Sequence, residues 1–408
     1  MLKSPKSVII RNYLDVSNNR YGYLHHNINQ QIYHEKTGMS SIPIVPPPNL
    51  PPLRGGVNSK TLQRPKLLMM IHWRESGKWD LYQAIMGQME KLDILQPFGL
   101  NRFRSNFWNR LTYILSEFYL PLVALMKRDS FDIVMSWSMR LGICYGVLNR
   151  LFRRSRSPKH IIYDFHIDLT RTDWIYRFRL KLLQFAIPGI DFFFTTSEKE
   201  IEIYARQFGI RPEMMAFWPM TPAAYLLKKD ISSGGDYIFS YGNSDRDYDM
   251  LIQAVKNLPV QTVIVSRTYQ PTYPLPSGIV LIREKSWEKL LELIESSRMV
   301  ILPLQSYWIA AGQLCMLETL ALGRPLIVTR NMATVEYAVD GKTALFFDAK
   351  DAETLSDHIR YLLDHPDAAE LMGQTAREAI GDNAARRLAV LMNALNRLLE
   401  QEELRKWM

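Results

Sequence analysis

The sequence predicts an α/β protein built from two doubly wound, Rossmann-like parallel-sheet domains in tandem. Short apolar or β-branched runs alternate with helical patterns through most of the chain, which is typical of parallel sheets covered on both faces. One polar, glycine-bearing stretch at 228–235 interrupts this alternation and divides it into two series of similar length. The 408 residues, 47% of them hydrophobic, suffice for a separate core in each domain.

Residues 1–65 are predicted to be an N-terminal extension. A polar segment rich in His, Asn and Gln precedes the stretch IPIVPPPNLPPL, which is typical of a polyproline-like spacer. The amino terminus lacks the apolar core of a secretory signal, and the two cysteines, Cys144 and Cys315, have no disulfide or zinc spacing. These features favour a cytoplasmic protein.

The first domain is predicted over 66–232 and the second over 236–385, with a C-terminal helix over 386–408 that packs back on the first domain. A helix is expected between the first strand and about residue 92. Strands of the first domain are expected at 66–73, 131–137, 160–167 and 191–197. Strands of the second domain are expected at 237–242, 262–266, 278–282, 299–304, 326–328 and 343–347.

The formal net charge of +9 is concentrated in one region, residues 98–160. This region contains eleven basic residues and only three acidic ones, Glu117, Asp129 and Asp132, and aromatic residues are interleaved with them. This composition favours a surface on anionic lipid, hence peripheral attachment at the inner membrane face. A plain solvated face is the alternative. Nucleic acid is not predicted, because no nucleic-acid motif accompanies the charge. The apolar run at 111–126 is too short to span a bilayer and predicts a buried or interfacial helix.

Two places in the second domain have the chemistry of a phosphate and ribose site, because ligands of parallel sheets bind beyond the carboxyl ends of the strands. In the first, a strand ends at Gly242 and a polar turn with Asn243 leads to Arg246, whose forked donors suit a diphosphate. In the second, Gly312 and Gln313 open an apolar helix. Glu318 within that helix can accept hydrogen bonds from ribose hydroxyls. The alternative is a plain helix cap.

Asp245 and Asp247 flank Arg246 in a D-x-D pattern, which is a metal-binding signature in another setting. Here the two acids precede a helix, where negative charge is favoured by the helix dipole. We therefore expect no metal site.

The stretches YIFSYGNSDRDYDMLIQAV and MVILPLQSYWIAAGQLCMLETLALGRPLIV together resemble the donor-binding half of GT-B glycosyltransferases, especially those similar to family 4. The likeness covers about 236–385. In the first domain it is limited to the alternation of strands and helices. The resemblance implies that Arg246 binds the donor diphosphate and that Glu318 contacts the donor ribose. Asn243 stands where the family often has an arginine, and Ala310 stands where it has the first of two glutamates.

In the first domain the resemblance implies that Gly77 belongs to a glycine-containing turn near the donor phosphates. His166, at the end of the strand HIIYDFHI, resembles family histidines that contact the sugar or the reacting centre. A histidine at a strand end is otherwise a hydrogen-bonded packing residue, and this alternative stays open.

The resemblance implies an enzyme that moves a sugar from a nucleotide-diphosphate sugar to an acceptor, with retention of configuration and without a metal. The expected chemistry is hexosyl transfer, with no cofactor beyond the nucleotide sugar. The basic-aromatic region 98–160 favours a lipid-linked acceptor or a growing cell-surface polysaccharide. Two alternatives remain: a nucleotide-sugar epimerase of the same fold, and a non-catalytic sugar-nucleotide-binding scaffold.

Overall fold

The computed structural model forms two compact units, each built on one parallel sheet. In the described part of the chain, the first unit contains residues up to Pro219 and residues 384–407, and the second contains 220–383. The division thus falls at Pro219, ahead of the predicted linker at 228–235. The structure describes residues 64–72, 84–97, 107–154, 157–169, 171–231, 234–283, 285–381 and 383–407. The predicted extension, up to residue 63, lies outside them.

The first unit contains a six-stranded parallel sheet in the order β2-β1-β3-β4-β5-β6. Its central strands are almost completely buried, as expected where helices cover both faces. The strands are β1 (Lys66–Met70), β2 (Lys91–Leu95), β3 (Ile133–Ser138), β4 (Lys159–Phe165), β5 (Phe192–Thr195) and β6 (Met215–Phe217). The helices are α1 (Phe107–Lys127), α2 (Met139–Leu151), α3 (Trp174–Ala186) and α4 (Glu198–Phe208).

The prediction of a helix reaching residue 92 is wrong at its end, because β2 begins at Lys91. The strand KLDIL is half-buried at the sheet edge and carries two charged residues, so it lacks the continuous apolar run of a central strand. The three-residue strand β6 at the opposite edge was also not predicted.

The second unit has the same design, a six-stranded parallel sheet in the order β12-β11-β10-β7-β8-β9. Strands β7 and β10 are neighbours, so the segments that follow them meet at one edge of the sheet. The strands are β7 (Tyr237–Tyr241), β8 (Gln261–Val265), β9 (Ile279–Ile282), β10 (Met299–Leu302), β11 (Leu326–Thr329) and β12 (Leu345–Phe347). The helices are α5 (Tyr248–Val255), α6 (Trp287–Glu295), α7 (Gln313–Ala321), α8 (Ala352–Asp364) and α9 (Pro366–Gly381).

The last helix, α10 (Asn383–Trp407), belongs to the first unit from residue 384 onward. Arg387 donates a hydrogen bond to the Tyr163 hydroxyl of β4, and its guanidinium lies 5.3 Å from the Trp218 ring centroid. The Leu391 and Leu395 side chains are buried. Within the described residues, no helix combines the length and the apolar character needed to cross a bilayer.

Candidate functional site

The turn after β7 is shaped by contact between Gly242 and the side chain of Arg246. Gly242 has φ of 128°, and a Cβ atom on it would lie 2.6 Å from Arg246 Nη2. Only glycine permits this close approach in this conformation. The expectation that Arg246 stands beside the strand end therefore has a structural basis, although α5 itself begins two residues later, at Tyr248.

The Arg246 guanidinium is half-buried and fixed in place by three donated hydrogen bonds. Nε donates to the Tyr241 carbonyl at 3.1 Å, Nη1 to the Ser244 carbonyl at 2.7 Å and Nη2 to Cys315 Sγ at 3.3 Å. A guanidinium carries five N–H donors. Among the described residues, one N–H on each terminal nitrogen is left for a ligand.

Neighbouring loops hold the rest of this turn. Asn243 Oδ1 accepts hydrogen bonds from the Arg267 amide at 2.7 Å and from Ser266 Oγ at 3.3 Å, after β8. Asp245 Oδ2 accepts from the Ser306 amide at 3.3 Å, after β10. The Asn243 amide therefore braces a loop, and a role on the donor would use its remaining Nδ2 group.

Helix α7 begins at the same edge of the sheet, after β10. Its N-cap residue, Gly312, has φ of 87°, and the N-terminus has no side-chain cap. A Cβ atom on Gly312 would meet the Leu304 side chain at 3.2 Å. The Gln313 side chain is largely buried, as is Ala310. Gly312 supplies no side-chain cap, so the positive end of the α7 dipole favours an anion at this helix start.

Glu318 lies within helix α7 and is buried in the interior of the unit, with 1% of its surface exposed. Its Oε2 accepts a 2.5 Å hydrogen bond from the Tyr241 hydroxyl at the end of β7. Burial raises the pKa of Tyr241 well above its ordinary value, and the Glu318 charge raises it further, so the hydroxyl stays a donor. Burial also raises the pKa of the Cys315 thiol to about 11.

These contacts join the two predicted places into one cluster. Arg246 touches Cys315, which lies one helical turn before Glu318 on α7, and Tyr241 contacts both Glu318 and the Cys315 carbonyl. Tyr241 and the contact of Cys315 with Arg246 were not predicted. Their roles depend on the pairing of β7 with β10, which the sequence pattern does not reveal.

In the first unit, the His166 side chain follows β4 and is held by a buried carboxylate. Its Nδ1 lies 2.6 Å from Glu200 Oε1 on α4. Glu200 also accepts hydrogen bonds from the Tyr204 hydroxyl at 2.8 Å and from the Thr196 amide and hydroxyl at 2.8 and 2.9 Å. Burial alone would raise the pKa of Glu200, but the His166 charge and these hydrogen bonds outweigh it and lower the pKa.

The His166–Glu200 contact determines which imidazole nitrogen of His166 is held by the carboxylate. Nδ1 faces the carboxylate, while Nε2 is buried and has no partner among the described residues. A carboxylate that holds one imidazole nitrogen leaves the other to accept or donate a proton. Glu200 was missed from the sequence, where EKEIEIY reads as an ordinary charged helix face.

A second polar cluster lies near the carboxyl ends of β1 and β3. The Arg140 side chain donates to the Tyr113 hydroxyl at 2.7 Å and pairs with Glu117 at 3.0 Å. Nearby, His72 Nδ1 lies 3.3 Å from Ser138 Oγ. Burial raises the pKa of Glu117. Arg140, Tyr113 and Glu117 were expected only as part of the basic-aromatic region 98–160, and His72 and Ser138 were not predicted to belong to a site. Gly77, which was predicted near the donor phosphates, lies outside the described residues.

Comparison with known proteins identifies the second unit. Residues 228–379 match the family model of glycosyl transferases group 1. No curated protein matches the sequence. Sucrose-phosphate synthase from Thermosynechococcus elongatus is 15% identical, with a TM-score of 0.58 over 82% of this chain and 99% of that one.

Two further solved structures share the fold at lower identity. HepE from Anabaena, in complex with UDP and glucose, is 9% identical with a TM-score of 0.56, over 81% of this chain and 99% of that one. An α,α-trehalose-phosphate synthase from Burkholderia vietnamiensis is 11% identical with a TM-score of 0.57, over 81% and 98%. At these identities the likeness shows a common fold. The chain therefore has the GT-B fold of these glycosyltransferases, and its residues 228–379 match the glycosyl transferases group 1 model.

Proposed function

We propose that this chain moves a glycosyl group from a nucleoside-diphosphate sugar, bound by the second unit, to an acceptor bound by the first. The observation that carries the proposal is the Arg246–Cys315–Tyr241–Glu318 cluster, which places a cation, an uncapped helix start and a buried carboxylate at one strand edge. These groups match a diphosphate and a ribose in type. HepE, which shares the fold, is bound to UDP and glucose in its structure, and this supports a nucleotide ligand.

The proposed reaction breaks the bond between the anomeric carbon and the diphosphate oxygen and forms a bond from that carbon to an acceptor hydroxyl oxygen, whose proton passes to the departing diphosphate. The departing diphosphate gains negative charge, which Arg246 and the α7 amides stabilise because they are held in place beforehand. Glu318 accepts hydrogen bonds from the ribose hydroxyls. His166 Nε2 contacts the transferred sugar, and Glu200 fixes the ring. By resemblance, the configuration of the sugar is retained.

Transfer is proposed to need no metal ion. Asp247 caps α5 by accepting from the Met250 amide at 3.0 Å, and Asp245 accepts from the Ser306 amide. Both carboxylates of the D-x-D pattern therefore serve the backbone. Activity that survives EDTA would support this; activity that is abolished by EDTA and restored by Mn²⁺ would contradict it.

The acceptor is proposed to be a saccharide carried on a lipid or on a growing cell-surface polysaccharide. The support is the basic and aromatic composition of 98–160, in which the Arg140–Tyr113–Glu117 cluster lies. Aromatic rings beside hydrogen-bonding groups suit sugar rings, whose C–H faces are apolar and whose hydroxyls are polar.

The first experiment is a thermal-shift panel of UDP, GDP and ADP with wild type, Arg246→Ala, Glu318→Ala and Arg360→Ala. Arg360 is an exposed arginine of the same unit that pairs with Asp357 at 3.0 Å, so its loss is the matched control. We expect one nucleotide to raise Tm in wild type and in Arg360→Ala. Loss of a charged hydrogen bond should weaken binding by about 10- to 100-fold in Arg246→Ala.

Turnover with the matching nucleotide sugar then separates the alternatives. Slow release of free sugar without acceptor supports the transferase. Interconversion of donor sugars supports an epimerase of the same fold. Tight binding without any turnover supports a non-catalytic sugar-nucleotide-binding protein. Nucleotide binding that Arg246→Ala and Glu318→Ala leave unchanged would refute the proposed donor site itself.

A further inference from the structure

The solvent-facing side of α1 is apolar instead of polar. From residue 114 to residue 126 its exposed positions are Ile114, Leu115, Phe118, Leu122 and Met126. Phe118 is 59% exposed and Met126 is 76% exposed. A helix that is apolar on its buried and its outer sides is ordinarily covered on both. The outer side of α1 therefore has the character of a binding face.

Helices α1, α2 and α3 cover the same face of the first sheet. They connect β2 to β3, β3 to β4 and β4 to β5, and these crossovers all step in one direction along the sheet. Right-handed crossovers of that kind place their helices on one side. Helix α2 contacts both neighbours, and the Arg150 guanidinium at its end lies 4.1 Å from the Phe185 ring centroid on α3.

Helix α3 extends the apolar character of this face. Trp174 is 72% exposed, and Phe178 and Phe185 are also exposed. Arg177 and Lys181 stand between them on the solvent side. Large aromatic side chains beside long basic ones are typical of protein surfaces that rest in the headgroup region of a bilayer.

Charge on the three helices has one sign. Glu117 is their only acidic residue in the described part of the chain, and it is buried and paired with Arg140. The acids near the helix ends, Asp129 and Asp173, pair with Arg154 and Arg171. Exposed cations therefore dominate this face, and they include Lys127, Arg150, Arg177 and Lys181.

We propose that the outer face of α1, α2 and α3, called here the α1–α3 face, docks on an anionic lipid bilayer. The exposed apolar side chains would enter the acyl boundary while the lysines and arginines contact lipid phosphates. A second copy fits less well, because two-fold pairing would bring this positively charged face against itself. Nucleic acid fits less well too, because the aliphatic stripe of α1 has no counterpart on a phosphate backbone.

Co-sedimentation of the full chain with vesicles tests the proposal without reference to catalysis. The vesicles are phosphatidylcholine alone and phosphatidylcholine mixed with phosphatidylglycerol. We expect binding to the mixed vesicles only, weakened by added salt because the charge term is screened. Failure of this test would leave the proposed transfer reaction untouched, since the two proposals are measured separately.

Two variant pairs divide the apolar and the charged contributions. Phe118→Ser with Leu122→Ser removes apolar contact, and Arg177→Glu with Lys181→Glu reverses charge. Each pair should weaken vesicle binding on the order of tenfold or more. Leu371→Ser is the matched control, because Leu371 is 64% exposed on α9 of the other unit, and it should bind as wild type does.

Three results would overturn the proposal. One is equal binding to neutral and anionic vesicles. Another is unchanged binding in both variant pairs. The third is a wild-type dimer in sedimentation equilibrium that Phe118→Ser with Leu122→Ser converts to monomer, which would assign the face to a second copy. Circular dichroism of each variant confirms that it is folded before its binding is interpreted.

Discussion

Glu200 is fully buried, yet its pKa lies below the ordinary 4.5. Burial by itself opposes ionisation, but the charge of His166 and hydrogen bonds from Tyr204 and Thr196 more than offset it. Because the folded-state pKa is lowered, this carboxylate stabilises the fold fully above pH 4.5. That contribution is lost as the pH falls through the lowered pKa.

Substitution Glu200→Gln should therefore make the stability of the fold depend less on pH under acidic conditions. Tm measured between about pH 6 and pH 3, the range in which carboxylates titrate, tests this expectation. The substitution should also lower kcat on the order of 10²-fold with little change in donor KM, because His166 loses the partner that fixes its ring. Glu202→Gln is the matched control, since Glu202 is exposed on the same helix and pairs with Lys199.

A result in which Tm falls but kcat and its pH profile stay at wild-type values would assign His166 and Glu200 to packing alone. This is the alternative that the sequence left open for a histidine at a strand end.

At the scale of elements, glycine contacts fix how α9 lies against the end of α7. Gly373 of α9 packs on the chain at Gly323, and a Cβ atom on Gly373 would lie 2.1 Å from the Gly323 carbonyl oxygen. A backbone oxygen cannot turn aside as a side chain can. The absence of a side chain at Gly373 therefore allows α9 to approach the end of α7 this closely.

Gly373→Ala should destabilise the second unit by about 1–3 kcal/mol, because the clash exceeds the roughly 1 kcal/mol by which Ala favours a helix over Gly. Gly381→Ala, in the same helix, meets nothing within 4 Å and should be neutral or slightly stabilising. Urea unfolding of both variants measures the difference. Equal stability of the two would show that the helices separate without cost.

The sequence was informative about elements where apolar or β-branched residues form a continuous run. YIFSY, TVIVS and MVIL are continuous apolar runs and were predicted, whereas the half-buried edge strand KLDIL was not. Arg246, Gly312 and Glu318 were singled out from the sequence, and the structure brings Arg246 and Glu318 into one cluster around Tyr241 and Cys315. Tyr241 and Glu200 were missed because burial against a distant segment, and no local pattern, gives them their partners.

At the scale of the whole molecule, the first unit is discontinuous in sequence, because α10 completes it after the second unit has ended. Leu391 and Leu395 are fully buried, and Arg386 lies 3.7 Å from Glu198 of α4. The family match over 228–379 covers the continuous unit only.

Leu391→Ala should cost about 2–5 kcal/mol of unfolding free energy, because it leaves a cavity beside α10. We expect the thermal transition of the first unit to move down while the nucleotide-induced stabilisation of the second unit is retained. Differential scanning calorimetry with and without the nucleotide measures both. Loss of the nucleotide response in Leu391→Ala would contradict this division of roles.

The hydrogen bond between Arg387 and Tyr163 joins residues 224 positions apart in the chain. During synthesis, the ribosome must therefore release the whole second unit before the first can close its core. Contacts of such long sequence separation slow folding and leave apolar surface exposed in the meantime. We therefore expect the first unit to remain incompletely folded on the nascent chain and to bind chaperones. The second unit should fold as soon as it emerges from the ribosome.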